Sequence, residues 1–164
     1  MKTFSSLLIL PVAFIIALDQ ISKFLVANTV GVHQKINVIG GFLNIVHVRN
    51  RGMAFGLLNR PGAEAGSYFL ILATLIAVAL MLFWFVRLRN ADSKTTLALS
   101  FIIGGAIGNL VDRVRLKEVV DFLDFHVGSY HWPAFNLADS AITIGTIWLL
   151  IRIIFQASPK EKTR

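Results

Sequence analysis

Two aspartates with apolar neighbours are the residues of this sequence whose types and spacing most directly suggest chemistry. Asp121 lies in the run VVDF (119–122), and Asp139 ends the run FNLAD (135–139), where an apolar helix begins. A carboxylate near hydrocarbon costs about 2.5–3.5 kcal/mol on insertion scales, so each aspartate needs a reason to be there. Two carboxyl groups that meet cannot easily both ionise, and the ionised one can act as a base toward water. The pair therefore predicts the chemistry of an aspartyl protease.

Each aspartate also has a simpler interpretation. Asp139 follows Asn136 by three residues, as in a capping box, and could do no more than complement its helix dipole. Asp124, three residues beyond Asp121, is an alternative candidate for the catalytic aspartate. Acids at a membrane can also relay protons, so a small proton or ion transporter is the alternative function. The acids cluster at one interface, and no inverted repeat or interrupted span accompanies them, which favours the protease.

Three histidines, His47, His126 and His131, are potential metal ligands. They show neither an HExxH motif nor a tight ligand spacing, and their aromatic neighbours are typical of an interface. The chain contains no cysteine, which excludes thiolate catalysis, disulfides and cysteine metal sites. The sequence therefore predicts no metal and no other cofactor.

The composition is that of an integral membrane protein. The 164 residues are 55% hydrophobic and only 15% charged, with a mean hydropathy of +0.70, unlike an ordinary globular domain. The apolar residues form four blocks, each long enough for a helix that crosses a hydrocarbon core of ~30 Å. The chain is predicted to form one domain, residues 1–164, with spans at 4–26, 67–86, 95–111 and 137–155. The two longer loops between spans are 27–66 and 113–135.

Basic residues predict the orientation of these spans. The net charge of +7 comes partly from dense clusters at 87–94 and 152–164. Such clusters beside spans are typical of cytoplasmic segments facing anionic lipid, and they do not call for a nucleic acid partner. Both termini are then cytoplasmic, and the two longer loops lie outside. The first of these loops contains a β-rich stretch, 36–48, with a turn signal at Gly40-Gly41, which predicts a small sheet on the membrane surface.

Further polar residues recur near the ends of the spans. Asp19 and Lys23 are four residues apart on the first helix, which predicts an ion pair on one face. Asn109 and Arg113 have the same spacing at the outer end of the third span, and Asp112 lies beside them. A guanidinium there could organise carboxylates or hold a peptide carbonyl group.

The third span also carries a pair of glycines at helical spacing. Gly104 and Gly108 form a GxxxG pattern, with Gly105 between them. Small residues at this spacing allow close approach of another helix. The pattern favours tight packing within the chain over dimerisation.

The motifs together resemble those of a known family. The chain is similar to lipoprotein signal peptidase, or signal peptidase II, in five segments that keep the family's order and spacing: DQISK (19–23), RNRGMAFG (49–56), GNLVDR (108–113), VVDF (119–122) and FNLAD (135–139). Each segment alone is a weak signal. Five of them in order, on a four-span chain of this length, are highly specific.

The resemblance implies a bacterial inner-membrane aspartyl endopeptidase. Such an enzyme removes signal peptides from diacylglyceryl-modified prolipoproteins by cleaving before the lipidated cysteine. Asp121 and Asp139 match the family's catalytic dyad, and Asp19 and Lys23 match its structural pair. The residues that match positions lining or supporting the pocket are Asn50, Gly52, Asn109, Asp112, Arg113, Asn136 and Ala138.

The same resemblance implies further features of fold and partners. The expected fold is an all-α integral membrane protein with four transmembrane helices and a small extracytoplasmic β-cradle, which the first outer loop forms over a site near the outer face. The expected partners are the prolipoprotein and membrane lipid. Family members need no metal, and the antibiotic globomycin occupies their site as a mimic of the tetrahedral intermediate.

Overall fold

Four long helices and one small sheet make up the described part of the chain. The computed structural model describes residues 2–52, 64–87 and 93–156. Its helices are α1 (Lys2–Thr29), α2 (Glu64–Arg87), α3 (Ser93–Leu116) and α4 (Leu137–Gln156). Each of the four contains a stretch long and apolar enough to cross a membrane. The predicted class, a four-span helical membrane protein with a small sheet, is confirmed.

Two helices continue beyond the predicted spans. α1 runs to Thr29 and α3 to Leu116, whereas the sequence predicted ends near residues 26 and 111. Hydropathy marks where the apolar residues stop, but a helix needs only backbone hydrogen bonds and can carry charged residues past that point. The residue that follows α3, Lys117, adopts the left-handed conformation (φ 62°) and donates its N–H to the carbonyl oxygen of Arg113 at 3.1 Å.

The sheet is antiparallel and combines strands from both long loops. Its order is β1 (Lys35–Ile39), β2 (Leu43–Asn50), β3 (Val119–Val127) and β4 (Tyr130–His131). The predicted β-rich stretch of the first loop forms the antiparallel pair β1–β2, with Gly41 at its turn in a positive-φ conformation. β3 and β4 were not predicted, because the cradle was assigned to the first loop alone. β3 is nevertheless the strand that pairs with β2 and carries Asp121.

α3 lies at the centre of the bundle and packs against α1, α2 and α4. Its glycines allow the close contacts. A Cβ atom on Gly104 would lie 3.0 Å from the Cβ of Ile15 in α1, and one on Gly105 would run into the carbonyl oxygen of Ala138 in α4. The GxxxG face therefore packs within the chain, as predicted.

This packing predicts that Gly105→Ala destabilises the protein. The added methyl group meets backbone rather than a movable side chain, so α3 and α4 must separate, at a cost of about 1–3 kcal/mol. Thermal unfolding in detergent should show a lower Tm. Gly40→Ala is the matched control, since a Cβ atom there has only the Asn37 side chain within reach, at 4.0 Å. Equal Tm values for the two variants would contradict the packing argument.

Candidate functional site

Asp121 and Asp139 lie on one cavity, although different elements carry them. Asp121 is in β3, and Asp139 is in the first turn of α4. Both line an open cavity of about 1020 Å³, bounded by the inner face of the sheet, by α3 and α4, and by the segment 132–135. Asp121 is only 3% exposed. The two carboxyl groups that the sequence singled out are therefore brought together.

Two asparagine side chains bridge these carboxyl groups. Asn136 donates from Nδ2 to Asp121 Oδ1 at 2.7 Å, and Asn109 donates from Nδ2 to Asp139 Oδ1 at 2.7 Å. Asn136 Nδ2 also donates to Asn109 Oδ1 at 3.2 Å, which joins the two amides. The separation and orientation of the acids are thus fixed by amide groups from two other positions.

Asn136 is also the N-cap of α4. Its Oδ1 accepts the backbone N–H of Asp139 at 2.9 Å, and Asp139 Oδ2 accepts the backbone N–H of Asn136 at 3.3 Å. This reciprocal pair is the predicted capping box. The simple and the functional interpretations of Asp139 are compatible, because one carboxyl oxygen serves the cap and the other meets Asn109.

The second oxygen of Asp121 is held from the end of β2. Asn50 donates from Nδ2 to Asp121 Oδ2 at 3.1 Å. The orientation of Asn50 is set in turn by Gly52, whose N–H donates to Asn50 Oδ1 at 3.0 Å. Both oxygens of the Asp121 carboxyl group therefore accept hydrogen bonds from uncharged amides.

A buried ion cluster lies behind the asparagine bridge. The ammonium group of Lys23 is 2.8 Å from Asp19 Oδ2 and 2.9 Å from Asp112 Oδ2, and it donates to Asn109 Oδ1 at 2.9 Å. These three oxygens use all three of its donors. The predicted Asp19–Lys23 pair is present, and it lies inside the bundle.

The same cluster anchors two neighbouring elements. Asp19 Oδ1 accepts the backbone N–H of Ala138 at 3.0 Å, which fixes the start of α4. Asp112 Oδ2 accepts the backbone N–H of Val120 at 3.3 Å, next to Asp121. Gln20, which the sequence analysis did not single out, donates to Asp112 Oδ1 at 2.9 Å. Its position beside Asp19 in the DQISK segment was the available signal.

The predicted supporting residues separate into two groups. Those that line the cavity are Asn50, Gly52, Asn109 and Arg113. Asp112, Asn136 and Ala138 are buried behind its wall. Residues 53–56 of the RNRGMAFG segment lie outside the described residues.

The surroundings of Asp121 favour its neutral form. Burial raises the pKa of its carboxyl group, and the charge of Asp139 raises it further, while hydrogen bonds from Asn50 and Asn136 and the charge of Lys23 act in the opposite direction. The balance raises the pKa to about 7. Below that pH the folded protein keeps a proton on Asp121.

Asp124 has a different environment from Asp121. It accepts a hydrogen bond from Asn44 Nδ2 at 2.9 Å, and its Oδ1 is 2.8 Å from His131 Nδ1. Burial raises its pKa, but these two contacts and the nearby histidines outweigh burial and lower it overall. Asp124 is not among the residues that line the dyad's cavity, so the geometry favours Asp121 over this competitor.

The three histidines serve contacts around the sheet. The rings of His126 and His131 stack with centroids 4.8 Å apart. Nδ1 of His47 lies 2.8 Å from the carbonyl oxygen of Val30, at the end of α1. Within residues 2–52, 64–87 and 93–156, no three His, Asp or Glu side chains are grouped as metal ligands would be.

Comparison with known proteins identifies close similarity along nearly the whole chain. Residues 11–155 match the family described as signal peptidase (SPase) II. The chain is 43% identical over 157 residues to the lipoprotein signal peptidase of Syntrophus aciditrophicus (strain SB), covering 96% of each protein. It is 48% identical over 147 residues to that of Desulforapulum autotrophicum, covering 88% of this chain and 90% of the relative.

Solved structures agree with this similarity. The fold resembles a bacterial membrane enzyme with a TM-score of 0.82 and 35% sequence identity, over 95% of this chain and 92% of the other. A second bacterial membrane enzyme structure gives a TM-score of 0.78 at 33% identity, over 89% of this chain and 91% of that one.

The environment of the two acids predicts which one carries the proton. Asp139 forms the capping box of α4 with Asn136, whereas the pKa of Asp121 is raised to about 7. Infrared difference spectra of the detergent-solubilised protein near pH 6 should show a protonated carboxyl band that decays as the pH is raised through about 7.

Three variants assign this band. It should disappear at every pH in Asp121→Asn and remain unchanged in the control Asp124→Asn. In Asp139→Asn it should persist at low pH but decay at a lower pH than in the unmodified protein, because the charge of Asp139 that raises the Asp121 pKa is gone. Loss of the band at every pH in Asp139→Asn, with the band retained in Asp121→Asn, would reverse the assignment.

Proposed function

The chain belongs to the signal peptidase II family, and we propose that it is an aspartic endopeptidase with Asp121 and Asp139 as its catalytic residues. Its substrates are diacylglyceryl-modified prolipoproteins, cleaved just before the lipidated cysteine. The substrate class follows the name of its relatives, which are lipoprotein signal peptidases. The family is one of peptidases, which disfavours the transporter interpretation.

One observation carries the catalytic assignment. The carboxyl groups of Asp121 and Asp139 line the same cavity. Each accepts a 2.7 Å hydrogen bond from an asparagine amide, Asp121 from Asn136 and Asp139 from Asn109. Paired carboxyl groups with unequal environments are the arrangement in which one acid stays neutral and the other ionised at one pH. Such a pair can activate water without a nucleophilic side chain.

The two acids divide the proton transfers between them. Asp139, in the first turn of α4, acts as the base and takes a proton from the attacking water. Asp121, neutral below pH about 7, donates a hydrogen bond to the scissile carbonyl oxygen and stabilises the charge that develops there. Collapse of the tetrahedral intermediate then requires a proton on the leaving amine, which the protonated Asp139 supplies.

The cavity wall fits a substrate that is largely apolar. Its apolar lining includes Trp132, Phe135, Ile142 and Ile144, while its polar groups gather around the dyad. Arg113 lines the cavity near both acids, where its planar guanidinium group can hold a substrate carbonyl. We expect globomycin to inhibit by occupying this cavity.

Replacement of either catalytic acid should abolish cleavage. Asp121→Asn and Asp139→Asn keep the side-chain shape but cannot exchange a proton, so turnover of a lipidated prolipoprotein in detergent should fall by at least about 10³-fold. Asp124→Asn is the matched control and should retain activity, because Asp124 does not line this cavity. A chelator should leave the rate unchanged.

Two results would contradict this assignment. One is an active Asp121→Asn variant beside an inactive Asp124→Asn variant. The other is inhibition by a chelator that added zinc reverses, which would revive the histidines as metal ligands.

We infer that the protein spans the bacterial inner membrane with both termini in the cytoplasm and the sheet on the outer side. The basic clusters support this orientation, although Arg89, Lys160, Lys162 and Arg164 lie outside the described residues. The outer side is also where the sheet would meet a substrate whose lipid occupies the outer leaflet.

Cysteine labelling tests this topology cleanly, because the chain has no native cysteine. Tyr130→Cys, at a side chain that is 71% exposed, should react with a membrane-impermeant maleimide in intact spheroplasts. Lys94→Cys, at an exposed position near the start of α3, should react only after permeabilisation. The opposite pattern would place the dyad on the cytoplasmic side.

A further inference from the structure

Glu118 is a buried acid that the proposed reaction does not use. It immediately precedes β3 and is 6% exposed. Its Oε1 accepts a hydrogen bond from Arg49 Nη1 at 2.8 Å, and its Oε2 accepts one from Arg51 Nε at 3.1 Å. The two arginine side chains are about half exposed, at 48% and 56%. One buried carboxylate therefore joins two cations that reach in from solvent.

The register of the sheet places the side chains of this ion cluster on the face opposite Asp121, although Arg49 also contributes to the cavity lining. Asn50 pairs with Val119, Arg49 with Val120, and Val48 with Asp121. Because successive strand residues point to opposite faces, Asn50 shares a face with Asp121, whereas Arg49 points to the other. Arg51 and Glu118, one residue further along each chain, continue the face of Arg49. The cluster thus holds the end of β2 on the face opposite Asp121, while Asn50 faces the dyad.

The end of β2 needs such support. Asn50 is the last residue of the strand, so the ladder of backbone hydrogen bonds to β3 ends there. Asn50 must nonetheless place its Nδ2 3.1 Å from Asp121 Oδ2. The ion pairs of Glu118 fall on the residues immediately before and after Asn50, where they limit rotation of the strand end.

We propose that Glu118 is a positioning residue, which fixes Arg49 and Arg51 and thereby holds Asn50 against the catalytic Asp121. The inference rests on the proposed function, since it takes Asp121 to be catalytic. Among the described residues, Glu118 does not itself line the cavity, although its partner Arg49 does, and its two hydrogen bonds go to Arg49 and Arg51 rather than to the dyad. It acts only through the arginines and the asparagine between them.

Kinetics of Glu118→Gln and Arg51→Gln test the catalytic part of the proposal. In Glu118→Gln both arginines remain solvated, so the variant leaves no unpaired buried charge. Cleavage of a lipidated prolipoprotein should show kcat reduced roughly tenfold and KM changed less than about twofold, as expected when a group at the reacting centre is misplaced. Arg115→Gln, at an exposed position nearby, is the matched control and should match the unmodified protein.

The double variant Glu118→Gln/Arg51→Gln shows whether the two residues act as one unit. Arg51 does not line the cavity, so its effect must pass through Glu118. The double variant should be no slower than Glu118→Gln alone. Losses in kcat that multiply would mean independent roles and would overturn the proposal.

Hydrogen exchange tests the structural part without relying on activity. Mass spectrometry of Glu118→Gln should show faster exchange in the peptide that contains residues 49–52, including the Gly52 N–H that is bonded to Asn50, while peptides from α1 and α3 stay protected. A faster exchange in the helices as well would indicate general destabilisation and would overturn a positioning role.

The two measurements separate the possible failures. If the unmodified protein does not cleave the prolipoprotein, the proposed function is wrong, and the exchange experiment still reports whether Glu118 orders the strand end. If cleavage is normal in Glu118→Gln, or if kcat falls with no change in exchange at 49–52, the positioning role is wrong while the proposed function stands.

Discussion

The need to pair a buried ammonium group organises the centre of this protein. Lys23 lies inside the bundle with its three donors directed at Asp19, Asp112 and Asn109. Removing one partner of a buried ion pair leaves an uncompensated charge, so α1 and α3 are held in one relative position. Asp19 extends the constraint to α4 through the N–H of Ala138. Asn109 extends the same constraint to Asp139 through the hydrogen bond from its Nδ2. The geometry of the cavity thus depends on a cation that does not enter it.

Close helix packing and the polar cluster support each other. Gly108 lets the Asp19 carboxylate approach α3, since a Cβ atom there would lie 2.8 Å from Asp19 Oδ2. Gly105 likewise admits the backbone of α4 at Ala138. A wider spacing between helices would lengthen the hydrogen bonds of Asp19 and of Asn109 together. The small residues of α3 are therefore as necessary for the site as its polar ones.

The sequence allowed prediction of the elements better than of their contacts. Four apolar blocks, a turn signal at Gly40-Gly41 and the Asn136–Asp139 spacing are local patterns with direct physical causes, and each appears in the structure. β3 was missed because VVDFLDFHV follows a charged stretch and reads equally well as a membrane-flanking loop. The bridge from Asn136 to Asn109 joins residues 27 positions apart, and Glu118 meets Arg49 across 69. Contacts of that kind depend on strand register and helix contacts, which no local pattern specifies.

The chemistry of the groups that hold the two acids has one further consequence. Asp121 is held by Asn50 and Asn136, and Asp139 by Asn109 and a backbone N–H. Amides neither take up nor release protons near neutral pH. Had histidine or lysine filled these positions, the acids could have exchanged protons with their own supports. Among the described residues, the groups that hold the pair therefore cannot exchange protons with it near neutral pH.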